Sequence, residues 1–93
     1  MRIISEMDKE GLKITIFIMN GKISIKFERD LLEQTYKFRD GSQVVDLESA
    51  IAYIDAELLK EIRTIFSSMS ELRYQKSKSL LTSDDTSSYD YII

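Results

Sequence analysis

A chain of 93 residues with 13 Lys and Arg against 16 Asp and Glu, net charge −3, makes one small domain with no general attraction for nucleic acid or an anionic membrane. It contains neither cysteine nor histidine, which removes disulfides, thiol chemistry, Cys/His zinc sites and imidazole acid–base catalysis together. No apolar run approaches the ~18 residues of a membrane span, and the first residues hold no apolar leader, so a cytoplasmic protein with no membrane partner is expected.

Residues 2–7 read as a first strand, with Gly11 supplying the left-handed position of the turn that follows. Leu12 to Glu28 is the clearest element: two alternating β-branched runs separated by Asn20-Gly21, the pair that suits a type I′ hairpin turn. A two-residue loop there pairs Ile18 with Ile23, Ile16 with Ile25 and Ile14 with Phe27, so these residues share the core face. Arg29 to Glu33 is read as a connection, with Leu31 and Leu32 tucked over a sheet edge or starting a helical turn. Gln34 to Arg39 alternates again, with Tyr36 and Phe38 inward. Asp40-Gly41 signals a further hairpin, with residues 42–45 as a short return strand.

Asp46 is placed to cap a helix. Leu47, Ile51, Ile54, Leu58, Ile62, Ile65, Met69 and Leu72 follow at steps of three and four, one apolar stripe of a long amphipathic helix. A single helix is expected, with a kink or a new cap at Asp55 as the alternative. The expected fold is therefore α+β: an antiparallel meander of four or five strands with one long C-terminal helix on one face. The domain spans residues 1–75, and 76–93 reads as a flexible acidic and aromatic tail.

Chemistry finds little purchase. Carboxylates are the remaining acid–base candidates, and none pair convincingly: Asp84-Asp85 sits in the tail, and Glu57 and Glu61 alternate with Lys60 and Arg63 as on a solvated helix face. There is no Gly-rich phosphate loop, and serines lack a histidine base. No catalytic residue, metal ligand or cofactor is assigned, and an enzyme is not expected.

The outer sheet face is more informative. On the register above it holds Lys13, Lys22, Lys26, Lys37 and Arg39 against Glu28, a net +4 in an acidic chain. One reading is a solvated face whose lysines discourage edge pairing. The other is a platform for an extended anionic partner, either an acidic protein or a single-stranded nucleic acid, using Lys13, Phe17, Lys26, Lys37 and Arg39 with Phe17 as the stacking ring. The helix, about 40 Å long at 1.5 Å per residue, exceeds strands of about 25 Å. Its end therefore needs a partner, and a homodimer through Phe66, Met69 and Leu72 supplies one. Tyr89, Tyr91, Ile92 and Ile93, set among acidic residues, form a candidate partner-binding tail.

Two resemblances follow. The order hairpin, hairpin, long helix over Leu12 to Leu72 is similar to the layout of Whirly-like single-stranded-DNA-binding coactivator domains, which implies dimerisation through the helix. The acidic, aromatic, apolar-ended tail is similar to the C-terminal interaction tails of bacterial single-stranded-DNA-binding proteins. The expected role is a small adaptor or binding protein acting as a homodimer, with single-stranded nucleic-acid binding as the alternative.

Overall fold

The computed structural model describes residues 1–82, with side chains through Leu80. Four antiparallel strands, β1 (Arg2–Lys9), β2 (Leu12–Met19), β3 (Lys22–Arg29) and β4 (Leu32–Lys37), form one sheet in sequence order. Two helices follow, α1 (Leu47–Tyr53) and α2 (Ala56–Thr82). The α+β class and the antiparallel meander are as expected, with four strands. No helix among the described residues is long and apolar enough to cross a membrane.

The strands are joined by three two-residue turns, Glu10-Gly11, Asn20-Gly21 and Asp30-Leu31, ten residues apart. Each has positive φ at both central positions (51° and 84°, 56° and 75°, 51° and 67°), the signature of a type I′ turn. The third corrects the expected 29–33 connection. Arg29 pairs directly with Leu32, and Leu31 stands at the turn tip, 95% exposed. A leucine there holds a left-handed conformation that its Cβ disfavours.

The hairpin register is the one the turn dictates: Ile18 opposes Ile23, Ile16 opposes Ile25 and Ile14 opposes Phe27. In β1 a bulge between Ile3 and Ser5 separates two adjacent isoleucines. Ile3 lies opposite Phe17 on the outer face, while Ile4 packs against the core. The core is the isoleucine face with Leu12 and Phe27, closed by Val44, Ala50, Ile62 and Phe66.

No fifth strand forms at 42–45. Arg39 to Ser42 is a turn, closed by a bond from Ser42 N to Arg39 O. The backbone donors beyond it are taken locally: Val44 N donates to Ser42 Oγ, and Val45 N and Asp46 N donate to Ser49 Oγ. Asp46 caps α1 by accepting from Ser49 N at 2.9 Å, and these Ser49 bonds hold its carboxyl below the usual range. That bond is therefore present above the ordinary carboxylate range and is lost as pH falls through the lowered pKa.

The single helix is also corrected. It breaks at Ile54, and Asp55 starts α2 by accepting from Leu58 N at 2.8 Å. At its far end α2 continues to Thr82, seven residues past the expected boundary of the domain. Residues 83–93, with the tail candidates Tyr89, Tyr91, Ile92 and Ile93, lie outside the described residues.

One polar link ties β4 to α2. Gln34, 8% exposed on the core face, donates from Nε2 to the Ile62 carbonyl at 3.0 Å, and Tyr36 OH donates to Gln34 Oε1 at 2.5 Å. Burial, and then the nearby Tyr53 ring hydroxyl, push the Tyr36 phenol up and keep it a donor. Gln34→Ala removes both bonds and leaves polar atoms without partners. It is expected to cost about 2 kcal/mol in urea unfolding, against about 1 kcal/mol for Tyr36→Phe, which removes one bond. Leu31→Gly is expected to stabilise by about 1 kcal/mol in the same measurement, by releasing the left-handed strain.

Candidate interaction surfaces

The outer sheet face resolves into cross-strand rows. Ile3, Phe17, Ser24 and Lys37 share one; Glu6, Thr15, Lys26 and Thr35 the next; Asp8, Lys13, Glu28 and Glu33 the third. Met19 and Lys22 form a partial row at the Asn20-Gly21 end. Lys13, Lys26 and Lys37 therefore fall on one diagonal across β2, β3 and β4.

The net +4 expected of this face does not hold. β1 brings Glu6 and Asp8 onto it and β4 brings Glu33, so with Glu28 four carboxylates face Lys13, Lys22, Lys26 and Lys37. Lys26 Nζ already lies 3.7 Å from Glu28 Oε1. The charges are sorted along the strands, with carboxylates toward the Glu10-Gly11 and Asp30-Leu31 turns and cations toward Asn20-Gly21. Arg39 is not on the face, because it lies in the turn beyond β4.

Phe17 is also placed differently from a stacking ring. It is 6% exposed, because β2 is an interior strand and gives it neighbours on both sides and along its own length. Thr15 and Ser24 beside it are buried for the same reason. An aromatic platform needs an open ring face, and Phe17 does not offer one. Beside it Ile3 and Met19 are 48% and 38% exposed, a small apolar corner.

The second surface belongs to α2. Arg63 donates to the Lys9 carbonyl at 2.7 Å and the Glu10 carbonyl at 3.3 Å, at the β1–β2 turn. Ten residues on, Arg73 donates to the Asp30 carbonyl at 3.3 Å, at the β3–β4 turn. The helix thus crosses the sheet end where these turns lie. Between them Phe66 is fully buried, under the guanidinium of Arg29 at 5.4 Å. Past Arg73 the helix runs about 13 Å further, at 1.5 Å per residue, to Thr82.

The expected dimer residues divide accordingly. Phe66 belongs to the core and cannot face a partner. Met69 packs half-buried against the core, and Leu72 is 71% exposed. Sequence reasoning missed Ile65 as a surface residue, 42% exposed, and Tyr74, 59% exposed. The break at Asp55 is the signal for Ile65, because it turns the α2 stripe so that Leu59 and Phe66 enter the core instead.

A third feature is an open cleft of about 530 Å³ beside the β1–β2 turn, lined by Lys9, Glu10, Lys60, Arg63, Thr64 and Ser67 among others. Arg63 is engaged there by the turn carbonyls and by Glu10 at 3.8 Å. Among the described residues every Asp and Glu is exposed except half-buried Glu28, and no three potential ligands converge as a metal site. Asp55, Glu57 and Glu61 line a second open cleft of about 480 Å³ beside Tyr53 and Leu58, and all three are exposed.

No family model matches the chain, and neither a curated protein nor a solved structure does. The function therefore rests on the surfaces themselves. Phe17→Ala is expected to lower stability by about 3 kcal/mol in urea unfolding, as a packing residue would. A loss of well under 1 kcal/mol would show that the ring is not part of the packing.

Proposed function

We propose that this chain is a small non-enzymatic binding or adaptor protein that acts through protein–protein contacts as a homodimer. The observation that carries the reading is the open side of α2, where Ile65, Leu72 and Tyr74 are left exposed while Arg63 and Arg73 hold the helix to the sheet. A helix of this length gains most of its stability by burying an apolar face. A second copy of the same surface offers a matching apolar face through an isologous contact.

Sedimentation velocity over a wide concentration range tests this. A reversible dimer is expected for the full chain. Leu72→Asp is expected to shift it to monomer with the urea midpoint of the dilute protein unchanged within about 0.5 kcal/mol, as for a surface substitution. A chain that stays monomeric at every concentration removes the reading.

The diagonal of Lys13, Lys26 and Lys37 supports a second reading, a single-stranded nucleic acid or acidic peptide laid across the sheet. The carboxylates flanking that diagonal weigh against it. Fluorescence anisotropy with labelled single strands separates the two. The adaptor reading expects no salt-sensitive binding, whereas binding that falls steeply with salt and is lost in Lys26→Glu would establish the alternative.

A further inference from the structure

Resting on the homodimer reading, we infer that two copies associate by antiparallel pairing of their α2 helices about Ser68, with Ile65 of each copy against Leu72 of the other and Glu61 against Lys76. Glu61, Ile65, Ser68, Leu72 and Lys76 recur at steps of three and four, so they share one side of α2. That side flanks the buried stripe of Leu59, Ile62, Phe66 and Met69. All five residues are exposed, and among the described residues neither Glu61 nor Lys76 has an ion-pair partner.

The stripe is self-complementary in one direction only. A two-fold axis between Ser68 and Met69 exchanges 61 with 76, 65 with 72 and 68 with 69. Two apolar contacts then lie at the centre, with an opposite-charge pair at each end, an apolar middle and a polar rim. Ser68 at the crossing is small enough for the axes to approach to about 8 Å. Parallel pairing in register would instead set Glu61 against Glu61 and Lys76 against Lys76, and both contacts would repel. Charge therefore selects the antiparallel orientation, while Ile65 and Leu72 supply the apolar area.

The absence of native cysteine makes the test direct in the full-length chain. Ser68→Cys is expected to form an intermolecular disulfide under mild oxidant, because residues beside the axis come within bridging distance of their own copies. Ile65→Cys and Leu72→Cys alone are expected to stay reduced, and their mixture to cross-link. Glu61→Lys is expected to weaken the dimer about tenfold in sedimentation equilibrium, and Glu61→Lys with Lys76→Glu to restore it. A dimer that ignores Glu61→Lys and cross-links through Ile65→Cys alone overturns the pairing and leaves the homodimer reading standing. A monomer at every concentration overturns both.

Discussion

Three tight turns at residues 10–11, 20–21 and 30–31 hold the register on which everything else is built. Each closes its hairpin with two residues of positive φ, and the ten-residue spacing repeats the same pairing three times. Because side chains alternate along a strand, a slip of one residue would carry Ile14, Ile16, Ile23 and Ile25 together into water. At about 2 kcal/mol for each large aliphatic side chain left unburied, no slipped register competes. The isoleucine face and its lid of Ile62 and Phe66 follow from the turns. Leu31 shows the strength of the constraint, since the third turn keeps its geometry with a side chain that resists it.

The helix answers to the sheet at a few points. Gln34 reaches from β4 to the Ile62 carbonyl, and Arg63 and Arg73 reach from α2 to the turns at the same sheet end. A buried glutamine with both ends of its amide engaged specifies position as well as contributing stability, because an α2 shifted by one turn would strand it. Those anchors end at Arg73 while the helix continues, so the free length of α2 is a consequence of where the turns lie.

The outer sheet face teaches a lesson about counting charge. Read from the central hairpin and the end of β4, it is strongly cationic. With Glu6, Asp8 and Glu33 in their rows it is balanced, and what survives is a gradient along the strands. Glu6 and Asp8 come onto that face because the Glu10-Gly11 turn pairs them with Thr15 and Lys13, whereas the bulge at Ile4 resets only Arg2 and Ile3. Phe17 lost its role as an open ring to the same two-dimensional effect, since enclosure comes from neighbouring strands that are remote in sequence.

The central hairpin was legible from residues alone, because Asn20-Gly21 and alternating isoleucines are local signals that all point one way. The inward Tyr36 and Phe38, the Asp46 cap and the α+β class were legible for the same reason. Helix length was legible only in outline: the break at Asp55 and the continuation to Thr82 depend on competition between local caps and one long periodic stripe, which periodicity weighs equally. The third turn carried no glycine at its second position, so only the closure of β3 onto β4 made Asp30-Leu31 a hairpin. Local chemistry determined which residues avoid water. The tertiary structure decided which of the surplus were covered, because a small sheet offers one face to a helix and leaves Ile65, Leu72 and Tyr74 beyond its reach.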